Sequence, residues 1–326
     1  MKHDVFENLK KELSGVKKNI LLKNHTTFQI GGPAQYFFIA NKKEEVLKAI
    51  AVAKKYKLPL FTFGGGSNLL VSDKGLKGLV VRLQNFDKTF GVKKIGKQVI
   101  VQASGGVPFK HVVEFCVSRG YEGLEWAGGL PGTFGGAIRG NAGCFGAETK
   151  DAIREVEALD NTFNVRKLSN KRCQFSYRSS IFKVKNWVAL SASVTLKKGD
   201  KMKLREIANS HINYRKEKHP LEYPNAGSVF KNIDVKKIPA KFHAEFRDRI
   251  KQDPFPIVPA AWFIIGASLA GKKAGQAQIS KKHSNYIVNL GGAKARDVIT
   301  LIGMVKKKVK KAYNINLEVE VQLVGF

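Results

Sequence analysis

Two glycine-dense stretches are where residue type and spacing first point to chemistry. Residues 123–146, GLEWAGGLPGTFGGAIRGNAGCFG, hold nine of the chain's 31 glycines. Glycine reaches positive φ at little cost and has no Cβ, so such a backbone can press against a flat or anionic ligand. The flanks are aromatic and apolar (Trp126, Leu130, Phe134, Phe145), whereas a solvated linker would be serine-rich and polar. Pro131 stiffens the stretch and Asn141 adds a side-chain amide. The second stretch, Gly64, Gly65, Gly66, Ser67 and Asn68, follows an apolar run, 58–63, that reads as a strand. A glycine turn at a strand end offers several backbone N–H donors to a phosphate. It is not a P-loop, because no Lys-Ser/Thr follows. It is not a dinucleotide fingerprint either, because the spacing is not G-x-G-x-x-G and no clear helix opens behind it. These residues alone leave the ligand open.

The surrounding elements follow from periodicity. Residues 24–40 read as a turn and then a strand. Asn41 is placed to cap a helix running to about Tyr56, with Val46, Leu47, Ile50 and Ala53 on one face. With strand 58–63 this makes a β–α–β start, the unit of a sheet covered by helices. Segments 78–83 and 99–103 are further strands, and 108–119 is a helix leading into the long glycine stretch. Residues 154–159 and 187–196 read as strands, and 202–218 as a charged helix near which the main boundary falls. In the last third, 219–232 is a loop punctuated by Pro and Gly, and 233–258 is polar without clear periodicity. Residues 260–269 read as a helix and 284–290 as a strand. Residues 294–313 form an amphipathic helix with Val298, Ile302, Val305 and Val309 at helical spacing. The alternating 315–324, INLEVEVQLV, predicts a final strand.

At 326 residues with 43% hydrophobic content, two or three lobes with real cores are expected. No apolar run approaches the ~20 residues of a membrane span. The charged N-terminus lacks a signal peptide's apolar core, so a cytoplasmic location is expected. Cys116, Cys144 and Cys173 have neither C-x-x-C nor His/Cys metal spacing. That predicts no metal site and no disulfide framework, with Cys144 a small packing residue. The net charge of +31 predicts salt-dependent attraction of anions. The lysines are spread along the chain and no recognition-helix, zinc-finger or RNP-like motif appears, so no dedicated nucleic-acid partner is expected.

Two glycine nests in an α+β domain resemble the flavin-binding domain of the vanillyl-alcohol-oxidase (PCMH) type. The finer resemblance is to the MurB family, the UDP-N-acetylenolpyruvoylglucosamine reductases. It is carried by 24–34 (NHTTFQIGGPA), 64–70, 128–146, 175–182 and 227–232, with HSNYIVN at 283–289 and EVQLVG at 320–325. It implies a lead-in at 1–23, an FAD-binding domain at 24–200 and a C-terminal α+β substrate-binding domain at 201–326. It also implies a flavoenzyme in which NADPH reduces non-covalent FAD and hydride then passes to UDP-N-acetylglucosamine enolpyruvate. By the same resemblance Gly64, Gly65, Gly66, Ser67 and Asn68 hold the pyrophosphate. Gly128, Gly132, Thr133, Gly136, Asn141 and Gly143 hold the rest of the cofactor. A monomer is expected, with the UDP-sugar and NADPH as its partners.

The implied reaction makes demands that residues can meet. Hydride added at C3 of an enolpyruvyl group pushes electron density onto C2 and the carboxylate, which must be stabilised before C2 is protonated. Arg178 suits the first task, because a guanidinium stays charged and can fork to a carboxylate. Ser228 suits the second if its alkoxide is supported, for which Lys231 is placed in the same segment. Glu320 would orient the substrate carboxylate or polarise the enolate. Periodicity does not separate it from Glu318, and only the family's ending selects it. Asn232, Gln278 and His283 are candidates for the UDP end.

The chain departs from the commoner family pattern in three places. Arg178 and Ser228 are 50 residues apart, too close for the extra tyrosine-bearing loop of one branch, which points to the shorter branch. Ile233 stands where a proline often follows Lys-Asn, and 233–259 is longer than usual. Two other readings remain: a flavin oxidase or dehydrogenase of a sugar or alcohol on the same fold, and a basic nucleic-acid-binding protein.

Overall fold

The helix and strand signals resolve into two units in a computed structural model that describes residues 5–84 and 90–326. One unit gathers Met1–Ile20, Ala34–Gly65 and Lys77–Asn213; the other gathers Leu21–Pro33, Gly66–Leu76 and Tyr214–Phe326. The fold class is α+β, as the sequence predicts.

The first unit has two sheets. The smaller is four-stranded in the order Lys17–Leu21, Pro33–Ala40, Leu76–Leu83, Leu60–Phe63, the last two running parallel. Helix Lys43–Lys55 covers it, burying Val46, Ala49, Ile50, Val52 and Ala53 among Tyr36, Phe38, Leu79 and Val81. Asn41 is not this helix's cap. Lys42 occupies that position without a side-chain bond, and Glu45 reaches back to accept from the Asn41 amide at 2.8 Å. An acid in the first turn thus satisfies the entering chain where an asparagine was expected to. The larger sheet is antiparallel and runs Val165–Ser169, Ile153–Leu159, Val188–Lys198, Gln98–Ser104, Gly91–Ile95. Strands Lys17–Leu21 and Gly91–Ile95 were not read from the sequence. Both are almost wholly exposed, so they carry no buried alternation to find.

The larger sheet's core explains the aromatic flanks of the glycine stretch. Phe109 opens helix Phe109–Ser118, and its ring meets Phe134 at 5.6 Å and Trp126 at 6.3 Å. All three are buried. Each such burial contributes roughly 1.5–3 kcal/mol, which anchors both ends of a loop whose glycines supply no side-chain contacts. Phe145 lies outside that core and stacks on His211 at 3.9 Å.

The second unit centres on an antiparallel sheet in the order Asn225–Ser228, Tyr286–Asn289, Ala277–Ile279, Lys273–Ala274. Helix Ala295–Tyr313 buries Ala295, Val298, Leu301, Ile302, Val305, Val309 and Tyr313 at helical spacing. Its first amides are capped by Asp73, which accepts from Ala295 at 2.9 Å and Arg296 at 3.3 Å. The predicted strand 315–324 is mostly not a strand. Gln322–Val324 pairs in parallel with Leu69–Val71, and Val319 makes an isolated antiparallel bridge to Phe230. The cause is a bulge: the Val229 carbonyl accepts from the amides of both Glu320 and Val321, at 2.8 and 3.5 Å. Two residues facing one shift the alternation, so Val321 and Val324 are buried while Leu323 is exposed. Residues 233–259 form an excursion closed by pairing of Ile233–Asp234 with Ile257–Val258. Phe246 docks it against Phe263 at 4.4 Å and Tyr313 at 5.6 Å.

Candidate active site

In the first unit the two glycine stretches meet. A Cβ on Gly64 would lie 2.1 Å from Thr133 Oγ1, and one on Gly65 would lie 2.7 Å from Gly132 Cα. On Gly128 it would lie 2.4 Å from the Ala208 carbonyl, and on Gly143 2.7 Å from Glu148 Cγ. What comes close to these glycines is therefore other parts of the same unit. Thr133 caps helix Phe134–Gly140 by accepting from the Gly136 amide at 3.3 Å. Gly66 differs in needing φ of +66°. The backbone amides of Gly65, Gly66, Ser67 and Asn68 donate to no acceptor among the described residues. A run of free N–H groups in a glycine turn is a donor set that fits a phosphate.

Arg178 is displayed by a tight turn. Ser176 and Ser179 exchange backbone hydrogen bonds of 3.1 and 3.0 Å, and Arg178 has φ of +54°, a left-handed conformation that costs a side-chain-bearing residue energy. Side chains from elsewhere hold it there. Asn141 is fully buried; its Nδ2 donates to the Ser176 carbonyl at 3.1 Å and its Oδ1 accepts from the Lys150 amide at 3.0 Å. Lys183 Nζ donates to the Arg178 carbonyl at 3.0 Å, and Ser180 Oγ to that of Arg139 at 2.7 Å. The Arg178 guanidinium donates to the Gly143 carbonyl at 2.8 Å and lies 5.0 Å from the Tyr177 ring centre. Asn141, Gly143 and Arg178 thus form one cluster. Burial lowers the pKa of nearby Arg139 from its ordinary value.

In the second unit Ser228 ends strand Asn225–Ser228, directly opposite Tyr286. Gly227 before it has φ of +77° and a register shift separates Asn225 from Ser228. Val229 is the junction. Its amide donates to the Asn285 carbonyl at 2.8 Å and its carbonyl accepts from Glu320. The Glu320 carbonyl in turn accepts from Asn68 Nδ2 at 3.2 Å. Ser228, Glu320 and Asn68 are thereby tied into one backbone network. Glu318 forms an ion pair with Lys231, whose amide also donates to the Glu318 carbonyl at 2.9 Å.

The remaining candidates scatter. Asn232 Oδ1 accepts from the Ala260 amide at 3.3 Å, at the start of helix Ala260–Gly266. Gln278 gives its side chain to the Gly271 carbonyl at 3.0 Å and aligns with Val288. His283 Nδ1 accepts from the Asn285 amide at 3.3 Å, and burial lowers its pKa. Its ring centre is 5.4 Å from that of His219. Sequence reasoning missed His219, whose pKa is pushed down to about 4 by burial and then by His283, Arg215 and Lys282. It also gave no role to Asn285, although the HSNYIVN segment contains it. Cys116 and Cys173 have thiols pushed up to about 12 by burial, which makes them inert. Cys144 Sγ lies 3.7 Å from the Trp126 carbonyl. In the second unit a cleft of about 920 Å³ is lined by Lys23, Asn24, Asp73, Tyr223, Gly292 and Lys294, among others, and by none of the predicted site residues. Among the described residues no helix is long and apolar enough to cross a membrane.

Known proteins resemble the chain throughout. Residues 34–169 match the family model for an FAD binding domain. Residues 219–324 match that for the UDP-N-acetylenolpyruvoylglucosamine reductase C-terminal domain. A UDP-N-acetylenolpyruvoylglucosamine reductase of Clostridium novyi is 37% identical, covering 95% of this chain and 92% of the relative. One from Caldanaerobacter subterraneus is 36% identical, covering 93% and 92%. The crystal structure of the Thermus caldophilus reductase (MurB) superposes with a TM-score of 0.74 at 28% identity, covering 95% of this chain and 98% of that one.

Proposed function

This chain belongs to the UDP-N-acetylenolpyruvoylglucosamine reductase family, and from that we infer that it reduces UDP-N-acetylglucosamine enolpyruvate to UDP-N-acetylmuramate in peptidoglycan precursor synthesis. It is an FAD-dependent oxidoreductase with NADPH as the proposed reductant. When bound, FAD supplies the hydride that adds to C3 of the enolpyruvyl group. The undonated amides from Gly65 to Asn68 would hold its pyrophosphate.

The substrate chemistry falls to side chains. Arg178 would take the substrate carboxylate and stabilise the charge that develops on it. Its guanidinium is anchored to the Gly143 carbonyl, and its planar fork of N–H donors matches the two oxygens of a carboxylate. Ser228 would give its Oγ proton to C2, the alkoxide then recovering a proton from solvent. Glu320 would steady the enolate. Lys231 shares its charge with Glu318, so its support of the alkoxide would be that of a partly neutralised cation. Asn232, Gln278 and His283 remain proposed contacts of the UDP end, and the enzyme would work as a cytoplasmic monomer.

The observation that carries this reading is the Val229 junction, where one residue's backbone binds the segment of Ser228 and that of Glu320. The test is to purify the protein with its flavin and follow NADPH oxidation. Consumption should require the enolpyruvyl sugar, with one lactyl ether formed per NADPH. A colourless protein that shifts a DNA probe at moderate salt would defeat the proposal.

A further inference from the structure

We infer that Asn285 is a positioning residue for Ser228. The inference rests on the reading of Ser228 as proton donor. Its ground is a side chain that behaves as backbone. Asn285 is 3% exposed, and its amide faces Phe230 edge to edge. Oδ1 accepts from the Phe230 N–H at 3.0 Å while Nδ2 donates to the Phe230 carbonyl at 2.8 Å. This is the two-bond exchange of an antiparallel strand pair, supplied by a carboxamide. The Asn285 main chain adds a third bond, from the Val229 amide. Strand pairing ends at Ser228 opposite Tyr286, and Asn285 extends it by two residues.

That extension matters because of what precedes Ser228. Gly227 has φ of +77°, and a Cβ built on it would meet nothing within 4 Å. The chain can therefore swivel there, glycine being the residue with the widest backbone freedom. On one side of this hinge Asn225 holds the chain, accepting from the Gly227 amide at 3.0 Å and donating to the carbonyls of Tyr223 and Pro220 at 2.9 and 3.2 Å. On the other side the holder is Asn285. Ser228 lies between them, and the same clamp fixes Val229, whose carbonyl receives Glu320. A displacement near 1 Å in such a group can cost on the order of 10²-fold in rate.

Asn285→Asp at two pH values separates this role from general stability. An ionised carboxylate still accepts from the Phe230 amide but repels its carbonyl. A protonated carboxyl restores one donor and one acceptor, and burial raises its pKa. In the flavin-loaded variant at pH 8, reoxidation of reduced flavin by the enolpyruvyl sugar should slow by about 10–100-fold. It should recover as the pH is lowered. Flavin reduction by NADPH should stay at the wild-type rate, and protection of the Phe230 amide, compared with wild type at the same pH, should fall only at pH 8, where repulsion of its carbonyl pushes the segment off the carboxylate. If Asn285→Asp does not fold at pH 8, Asn285→Gly, which leaves room for water at Phe230, should give the same split between half-reactions.

Slowing both half-reactions together, or neither, would overturn the inference. So would a full further loss when Asn285→Asp is added to Ser228→Ala, since a residue acting through Ser228 has nothing left to position. A wild-type rate of flavin reoxidation in Ser228→Ala would instead remove the reading of Ser228, and is measured separately.

Discussion

Arg178 and Ser228 are displayed by different devices. Arg178 sits at the tip of a turn in a left-handed conformation, with φ of +54°, and Asn141, Ser180 and Lys183 hold the turn by single bonds. Ser228 sits in a strand whose register is set by Tyr286 on one side and extended by Asn285 on the other. Both segments are secured by a buried asparagine, 35 residues away for Ser176 and 55 for Phe230. The difference lies in the backbone. The arginine turn stores local strain that tertiary bonds must contain, whereas the serine strand is relaxed except at Gly227. A rigid, strained display suits a group that must stay fixed around a charge. A sheet-held display with a glycine hinge suits the role proposed for Ser228, a hydroxyl brought to one carbon.

Removing the two groups proposed to act on the substrate should give the largest effects and should break the comparison if they do not differ. Ser228→Ala should lower turnover by about 10²–10⁴-fold, the usual worth of an acid–base group. Stopped-flow absorbance should still show NADPH bleaching the flavin, and failure of that bleaching while FAD stays bound would refute the assignment. Arg178→Lys keeps the charge but loses the fork and should cost about 10²–10³-fold in kcat. A drop confined to KM would show that Arg178 binds the substrate without stabilising developing charge.

The supports come next. Asn141→Ala leaves the Ser176 carbonyl and Lys150 amide without their partner, at a cost of about 1–3 kcal/mol per unsatisfied group, read as a lowered Tm. Arg178→Gly set against Arg178→Ala, which loses the same bond to Gly143, separates strain from function: both should abolish turnover, yet the glycine variant should be more stable by about 1 kcal/mol as the left-handed residue is relieved. Ser228→Gly, in the unstrained strand, should gain nothing over Ser228→Ala. Equal melting differences between glycine and alanine variants at the two positions would remove the contrast between the displays.

The strong helices, central strands and α+β class were legible because their apolar periodicity is real: Ala295–Tyr313 and Phe109–Ser118 bury the residues that spacing selects. The glycine stretches were legible as unusual, but their cause was not. Sequence shows that no Cβ is wanted at Gly64, yet not that Thr133 is what occupies the space. The alternation at 315–324 misled because a bulge at Val229 is a property of the pairing, absent from either segment alone. Asn285 was invisible for the same reason. A buried asparagine is known by its partner, and that partner lies 55 residues away. Each compact unit is assembled from three separated pieces of chain, an interleaving that periodicity along the chain does not carry.

The smallest effects should distinguish the two units by pH. In the first, burial works to raise the Asp160 pKa, but Arg166, the Thr162 hydroxyl and the amides of Asn164 and Thr162 outweigh it and hold it well below the usual carboxylate range. A carboxyl depressed on folding stabilises above its unfolded value and loses that stability as pH falls further. In the second, His219 is held to about 4 from an ordinary 6.5. Its ring faces Tyr214, His283 and the Tyr286 hydroxyl, with Arg215 and Lys282 adding positive charge. The unfolded chain takes up a proton below about 6.5 that the folded chain refuses until about 4. Stability is therefore full above that window and falls as pH drops through it. His219→Gln should flatten the slope of Tm against pH between about 6.5 and 4, leaving the part due to His283. Below that window, where Asp160 acts, its slope should match the wild type. An unchanged slope within the window would show that the proton uptake belongs elsewhere.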